Sequence, residues 1–206
     1  MSGPDRAFWQ QRFADRQLAW DRGGPSPQLA RWLADGTLGS GQRIAVPGCG
    51  AGHEVEPLAR AGLQVTALDY APAAIELLTR RLASTPDVGA TLIEADVLAW
   101  QPTAPLDAVY EQTCLCALHP DHWTAYAAQL RRWLRPGGRL CLLAMQALRA
   151  GAAEGRIEGP PYHVDINALR SLLPSEHWQW PKPPYSAVPH PAAPGWAELA
   201  LVLTRR

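Results

Sequence analysis

The fold is decided by residues 44–69, which read IAVPGCGAGHEVEPLARAGLQVTALD. An apolar strand runs into a turn with glycines at positions 48, 50 and 52. A helical stretch follows, and a second apolar strand ends at Asp69. Glycines in such a turn let the backbone pass close to a ligand and leave free amides at the helix N-terminus. A carboxylate after the second strand can accept both hydrogen bonds of a ribose diol. This stretch therefore predicts a site for a cofactor that carries a ribose.

The spacing of the three glycines distinguishes two classes of cofactor. Nicotinamide and flavin sites prefer G-x-G-x-x-G, and the third glycine of that pattern falls where His53 stands. The alternating G-x-G-x-G found here is typical of sites for S-adenosylmethionine. The alternative is a turn that only allows tight packing of strand against helix. Asp96 and Val97, after the next predicted strand, are candidate contacts to adenine, and a capping aspartate is the alternative for Asp96.

Short apolar segments and helical segments alternate on both sides of this stretch. Strands are predicted at 43–47, 63–69, 91–96, 106–111, 139–145, 178–180 and 196–204. Helices are predicted at 5–17, from 29 onward, and at 53–62, 72–84, 121–135 and 165–173. We expect the RPGG segment at 135–138 to end a helix and the proline-rich residues 181–195 to form a long hairpin connection. Strand–helix alternation of this kind predicts an α/β fold, a doubly wound and mostly parallel sheet with helices on both faces.

Length and charge limit the classes of function. The 206 residues correspond to a single domain, residues 1–206. We divide it into an N-terminal helical lid (1–40) and a core (41–206) with a substrate loop at 146–163. Nineteen Lys and Arg balance nineteen Asp and Glu, so no overall field attracts nucleic acid or an anionic membrane. The cysteines follow no secreted framework, and no segment is long enough to span a bilayer. We expect a cytoplasmic monomer with neither nucleic acid nor membrane as a partner.

Several motifs along the chain are more specific than the glycine turn. They are FWQQRF (8–13), AWDRGGPSPQL (19–29), VPGCGAGHEV (46–55), LDAVYEQTCLCALHP (106–120), LRPGGRL (134–140) and GPPYHVD (159–165). With these motifs the chain resembles the thiopurine S-methyltransferase family, especially its branch of small thiol and halide methyltransferases, over nearly its whole length. The resemblance implies a Rossmann-like class I methyltransferase fold, with a seven-stranded sheet whose last strand is antiparallel. It also implies S-adenosylmethionine as cofactor and S-adenosylhomocysteine as product.

The resemblance also implies roles for individual residues. The candidate cofactor-binding residues are Trp20, Gly48, Cys49, Gly50, Asp69, Tyr70, Asp96, Val97 and Glu111. The candidate substrate-binding residues are Trp9, Tyr162 and Cys114, and the candidate catalytic residues are Tyr162 and Trp20. Within these sets, the glycines would line the methionine end, Asp69 would bind the ribose, and Glu111 with Gln112 would form the floor near the methyl donor. The family often has aspartate where Glu111 stands, and the segment after the fifth strand is longer than the turn common in the halide branch.

The chemistry implied by the resemblance needs little from the protein. Methyl transfer from a sulfonium is an in-line displacement, so the protein aligns the reactants and excludes water. Aromatic side chains suit both tasks because their faces tolerate a cation. We expect a small-molecule acceptor that is methylated on sulfur or on a comparably soft nucleophile. Transfer to a halide or to a selenium or tellurium oxyanion is the alternative within enzymes. A sensor or partner subunit that binds S-adenosylmethionine without turnover is the alternative of another class.

Three further groups of residues carry open alternatives. Tyr162, His163 or Asp21 is a candidate base for a thiol that arrives protonated. Arg149 and Arg156 are candidates for binding an anionic substrate. The default interpretation is that both are solvated charges of the loop. The cysteine and histidine run at 114–122 does not have the spacing of a zinc finger or ribbon, so no metal site is expected.

Overall fold

The computed structural model describes residues 3–151 and 156–206. The described helices are α1 (Arg6–Ala14), α2 (Pro27–Ala34), α3 (Val55–Arg60), α4 (Pro72–Leu82), α5 (Cys114–Ala117), α6 (Trp123–Trp133) and α7 (Ile166–Leu172). The described strands are β1 (Arg43–Pro47), β2 (Gln64–Asp69), β3 (Ala90–Glu94), β4 (Leu106–Gln112), β5 (Leu134–Gln146), β6 (Trp178–Gln179), β7 (Ser186–Pro189) and β8 (Ala197–Arg205). None of the helices in these two ranges has the length and apolar character needed to cross a membrane.

Capping side chains explain where several of the helices begin. Asp5 accepts a hydrogen bond from the Phe8 amide (2.8 Å) at the start of α1. Ser26 precedes α2, whose first residue, Pro27, lacks the amide hydrogen that would otherwise have no partner there. Asp165 accepts from two amides at the start of α7. These short polar side chains satisfy amides that the helices themselves leave free.

The strands of the described chain form one sheet with the order β3-β2-β1-β4-β5-β8-β6, and β7 also pairs with β8. The pairs along β3-β2-β1-β4-β5 are all parallel, and β8 is antiparallel to β5. Alternate residues of the strands face opposite sides. Ala45 and Val109 join a core with α6 and α7, and Ile44 and Ala108 join a core with α2 and α3. The predicted doubly wound, mostly parallel sheet with an antiparallel last strand is confirmed.

The edge beyond β8 differs from the expected seven strands. β6 and β7 both pair antiparallel with β8, at opposite ends of it. Residues 180–185 between them include three prolines, which have no amide hydrogen to donate to a ladder. One edge position is therefore divided into two short strands. This corrects the expectation that residues 181–195 contain no strand.

The start of β5 also differs from the prediction. β5 begins at Leu134, directly after α6 ends at Trp133, so the RPGG segment at 135–138 belongs to the strand. The β4–β5 ladder shifts register between Leu106 and Ala108. A Cβ on Gly138 would lie 2.8 Å from the Arg135 carbonyl oxygen, so glycine permits the close backbone approach there. RPGG is thus an irregular beginning of the strand rather than a separate turn.

Candidate functional site

A pocket of about 480 Å³ lies where the carboxyl ends of the parallel strands meet. Its wall is built from residues that follow β1 to β5, from α1 and from the loop after α1. Most of the residues predicted from the sequence line it, namely Trp9, Trp20, Gly48, Gly50, Asp69, Tyr70, Asp96, Val97 and Cys114. Its size is within the range of roughly 300–1,000 Å³ that is typical of small-molecule sites.

The turn after β1 forms the centre of the pocket wall. Gly48 and Gly50 have φ angles of +56° and +50°, in the left-handed region that favours glycine. A Cβ on Gly48 would lie 2.9 Å from the Cys114 sulfur, and a Cβ on Gly50 would lie 3.3 Å from the Phe13 ring. The absence of side chains at these positions leaves the backbone of the turn open to the pocket.

The Asp69 carboxylate lies beside this turn at the end of β2. One oxygen accepts a hydrogen bond from the Gly50 amide (3.1 Å), and the other accepts from the Ala71 amide (2.9 Å). The residue is only 6% exposed, and burial raises the pKa of its carboxyl to about 6 against the opposing effect of these backbone hydrogen bonds. The carboxylate is therefore held in a fixed position in the pocket wall.

Asp96 and Val97 follow β3 at the same edge. Asp96 accepts a hydrogen bond from the Leu98 amide (2.8 Å), so its side chain stabilises the turn as well as lining the pocket. The two alternatives for Asp96 are thus compatible with each other. Val97 is buried and gives this part of the pocket an apolar surface.

Aromatic rings close the pocket from the side of α1. The Trp20 ring lies edge-on to Trp9, with ring centroids 5.2 Å apart, and to Phe13, at 5.8 Å. Gln10 accepts a hydrogen bond from the Ala73 amide (2.9 Å) and so joins α1 to the start of α4. Helix α1 and the loop that follows it therefore pack against the start of α4 and cover the glycine turn with apolar rings.

Two polar contacts anchor the loop that follows α1. The Nε2 of His53 lies 2.7 Å from Asp21, and Arg81 donates to the other ring nitrogen (2.6 Å). The hydrogen bond with His53 lowers the pKa of Asp21. On the other side, Arg22 pairs with the buried Glu198 of β8 (3.2 Å). The loop is thus held both to the glycine turn and to the last strand.

A smaller chamber of about 80 Å³ adjoins the main pocket and shares Trp20, Gly48 and Gly50 with it. Its lining is more polar. Burial raises the pKa of Glu54 to about 7, and burial, with a smaller effect from the nearby Arg22, lowers that of His190 to about 4. The residues that line it also include Cys49, Asp21, Arg22, His53 and Gln112. Burial raises the pKa of the Cys49 thiol well above its usual value, so this sulfur stays protonated.

Tyr162 and Glu111, which were predicted to contact the acceptor and the cofactor, are not among the residues that line either cavity. Tyr162 is 6% exposed and belongs to the core cluster that also contains the pocket residues Cys114 and Met145. Its ring packs edge-on to His119 (5.5 Å), and its amide donates to the Cys116 carbonyl (2.8 Å). Glu111 is also buried. One of its oxygens accepts from the Leu115 amide (2.6 Å), and burial raises its pKa to about 8. Both side chains support residues that line the pocket.

Several pocket residues were not predicted from the sequence. Thr113 lines both cavities with a φ of +64°, which is unusual for threonine, so no sequence signal marked it. Arg12 is on α1, and Ala192 and Trp196 come from the connection between β7 and β8. Arg149, a candidate for binding an anionic substrate, also lines the main pocket. Within residues 3–151 and 156–206, no group of three or more His, Cys, Asp or Glu side chains is placed to hold a metal ion.

Comparisons with known proteins agree with this geometry. Residues 4–183 match the family model described as thiopurine S-methyltransferase. The chain is 29% identical to the probable thiol methyltransferase 2 of Arabidopsis thaliana over 174 residues, which are 84% of this chain and 74% of that protein. It is 28% identical to thiocyanate methyltransferase 1 of the same plant, over 80% of this chain and 70% of that protein.

Among solved structures, the chain is similar to the 1,6-didemethyltoxoflavin-N1-methyltransferase of Burkholderia thailandensis, which was crystallised with 1,6-didemethyltoxoflavin and S-adenosylhomocysteine. The TM-score is 0.73 at 20% sequence identity, and the match covers 97% of this chain and 86% of that one. At this identity the likeness shows a common fold.

Proposed function

The chain belongs to the thiopurine S-methyltransferase family, and from that premise we propose that it transfers a methyl group from S-adenosylmethionine to the sulfur of a small thiol or a similarly soft nucleophile. The family, the class I fold and the methyltransferase activity expected from the sequence are confirmed. The observation that carries the proposal is the buried Asp69 carboxylate, fixed beside an open glycine turn in the wall of a pocket of about 480 Å³.

The pocket residues fit the proposed cofactor. Gly48 and Gly50 form a cradle that side chains would fill, and it receives the methionine portion. Asp69 accepts hydrogen bonds from the ribose hydroxyls. These hydrogen bonds are strong because the acceptor group is charged. Asp96 and Val97 flank the adenine. The polar chamber beside the glycine turn takes the charged end of the methionine portion.

The protein's part in the reaction is alignment and exclusion of water. When bound, S-adenosylmethionine would supply an electrophilic methyl carbon for in-line attack by the acceptor sulfur, with S-adenosylhomocysteine as the leaving group. Trp9, Trp20 and Tyr70 cover that region with rings that keep water out and tolerate a sulfonium cation. Trp20, which lines both cavities, is the residue we place nearest the reacting atoms. An acceptor that arrives as an anion needs no base.

The cysteines of the pocket wall do not compete with the acceptor. Burial and, secondarily, the nearby Glu111 raise the pKa of Cys114 and of Cys116 well above the usual value. A thiol is a poor nucleophile until it loses its proton. These two side chains therefore contribute an apolar surface while remaining unreactive.

The proposed enzyme works as a monomer in the reducing cytoplasm on a small molecule. Its four cysteines are free and buried, and its formal net charge is zero, which gives nucleic acid no overall attraction. The large exposed apolar side chains within the described ranges are Leu148 and Ile157. The pocket volume suits a small acceptor rather than a macromolecule.

Two measurements test the proposal. Calorimetry with S-adenosylmethionine and S-adenosylhomocysteine tests the cofactor, and absence of binding by both would refute it. Release of S-adenosylhomocysteine with thiophenol, 2-mercaptoethanol, iodide, thiocyanate and tellurite then tests the acceptor, with the Asp69→Ala variant, in which cofactor binding is weakened, as the control. We expect turnover with the thiols. Turnover with iodide or tellurite alone would favour the alternative acceptors, and tight binding without turnover would favour a sensor.

A further inference from the structure

The charged residues of the main pocket are distributed unevenly. Its carboxylates, Asp69 and Asp96, follow β2 and β3. Its cationic side chains, Arg12 and Arg149, lie elsewhere in the wall. In the sheet order, four strand spacings separate the end of β3 from the end of β5, which is roughly 19 Å at the usual spacing. The pocket is therefore acidic where the adenosine is proposed to bind, and one cation, Arg149, lies at the end that remains for the acceptor.

Arg149 follows β5 at this second end and is held by neutral groups. Its guanidinium donates to the Pro160 carbonyl (3.2 Å) and lies over the Trp196 ring, 5.4 Å from the ring centroid. Both partners also line the pocket. The contacts fix the orientation of the guanidinium without neutralising its charge, because neither a carbonyl nor an indole ring carries a negative charge.

The Nε atom of Arg149 is buried and has no hydrogen-bond partner among the described residues. Arg149 nevertheless lines the pocket, and none of the described acidic side chains pairs with its guanidinium, so an anionic group of a ligand can contact it there. Guanidinium groups are well suited to this role because their fixed planar donors match a carboxylate or a related oxyanion.

The surfaces around Arg149 suit the remainder of such a ligand. Met145, Leu118 and Trp196 give the acceptor end apolar walls. Arg12, the other cation of the pocket, differs from Arg149. Its guanidinium lies over the Phe8 ring and donates to Gln17, an exposed contact away from the end of β5. Arg149 is thus the cation best placed to select an acceptor.

We propose that Arg149 binds a carboxylate or comparable oxyanion on the methyl acceptor, so that the preferred substrates are small anionic thiols. This inference rests on the proposed function and specifies its substrate class. The thiol sulfur then points toward the methyl donor while the anionic group is held at the opposite end of the acceptor. Arg149 acts as a specificity-determining residue and takes no part in bond making.

A matched pair of acceptors tests the inference with the full chain. 3-Mercaptobenzoate and 3-mercaptobenzamide have nearly the same size and differ in charge. With saturating S-adenosylmethionine, we expect kcat/KM to be at least tenfold higher for the benzoate. Arg149→Gln should remove this preference by lowering kcat/KM for the benzoate at least tenfold, with a change of less than twofold for the benzamide and for cofactor affinity. Arg149→Lys should retain part of the preference.

Two control variants identify the source of any change. Arg131→Gln, on the exposed face of α6, should leave both acceptors unaffected. Arg12→Gln should affect them equally or not at all, and a loss of benzoate preference in this variant alone would overturn the assignment to Arg149. An equal loss for both acceptors in Arg149→Gln would also overturn it, since that result indicates a purely structural role.

Calorimetry on the protein loaded with S-adenosylhomocysteine separates this inference from the proposed function. It measures the affinity for the two acceptors without turnover. Tighter binding of the benzoate that Arg149→Gln abolishes supports the anion site, even if wild-type protein methylates neither thiol and the proposed function fails. Equal affinity for the two compounds overturns the anion site, even if both are methylated.

Discussion

The two ends of the pocket are built in different ways. The cofactor end consists of residues that directly follow β1, β2 and β3, and much of its surface is backbone held by neighbouring strands. The acceptor end combines residues after β5, the 159–161 segment and the connection between β7 and β8, which lie far apart in the chain. In the proposed function, strand ends therefore bind the cofactor and loops bind the acceptor. Loops vary more readily than strands, so relatives can share a cofactor and differ in substrate.

The largest effect is expected from a methyl group at the cofactor end. Gly48→Ala places a Cβ 2.9 Å from the Cys114 sulfur on a backbone with positive φ. We expect a loss of about 3 kcal/mol in unfolding free energy and binding of S-adenosylmethionine weakened more than ~100-fold. Urea denaturation and calorimetry measure the two effects. Gly89→Ala, with no atom within 4 Å of the added Cβ, is the matched control. Normal binding by Gly48→Ala would show that the turn is not the rigid part of the site.

A smaller effect at the same end is expected from Asp69→Ala. Loss of charge-assisted hydrogen bonds to the ribose should weaken S-adenosylmethionine binding by at least ~1.5 kcal/mol, which is more than about tenfold. Calorimetry measures it, with the exposed Asp87→Ala as the control. Acceptor preference between 3-mercaptobenzoate and 3-mercaptobenzamide should not change. If the preference changed with the affinity, the two ends would not be separable.

The accuracy of prediction from the sequence also differs between the two ends of the pocket. β1 was predicted with its observed bounds, and the glycine turn and Asp69 were placed correctly in the pocket wall, because strand, turn and strand end are adjacent in sequence. Their role in binding cofactor remains a proposal. At the other end, Gly159 lines the pocket while Tyr162 turns into the core. Packing against His119 decides that orientation, and no local pattern reports it.

The remaining differences have the same origin. Glu111 turns inward because its carboxylate stabilises the start of α5, a contact that depends on the backbone turn at Thr113. β7 forms because β8 offers it an edge, although prolines surround it in the sequence. In both cases a tertiary partner overrides the local preference of the residues. Prediction therefore failed where a residue's direction is set by a distant segment.

Acidic pH should weaken the cofactor end by an intermediate amount. The pKa of Asp69 is about 6, and its ionised form accepts the ribose hydrogens, so affinity for S-adenosylmethionine falls as the pH drops through 6. We expect up to about tenfold weaker binding at pH 5 than at pH 7, measured by calorimetry. Asp69→Asn should flatten the part of the profile centred near pH 6. An unchanged profile in that variant would assign the effect to Glu54, whose pKa is about 7.

The smallest effect is expected from Tyr162→Phe. The side chain is not among those that line the pocket, so loss of its hydroxyl should change kcat/KM and cofactor affinity by less than about twofold. Steady-state kinetics and calorimetry measure both values, with thermal unfolding to show that the fold is intact. A selective fall in kcat would contradict this expectation and would assign the Tyr162 hydroxyl to the acceptor end of the pocket.

The position of β8 has a consequence for assembly during synthesis. β8, which follows the other described strands in the chain, lies inside the sheet, between β5 and the edge formed by β6 and β7. It also carries Glu198, the ion-pair partner of Arg22. The two residues are 176 positions apart, so Glu198 is synthesised roughly 10–40 s after Arg22. Until Glu198 is in place, the loop that follows α1 is held by the contact between Asp21 and His53 but not by the ion pair of Arg22 with Glu198. The second anchor of the loop that follows α1 therefore forms only when residues 197–205 enter the sheet.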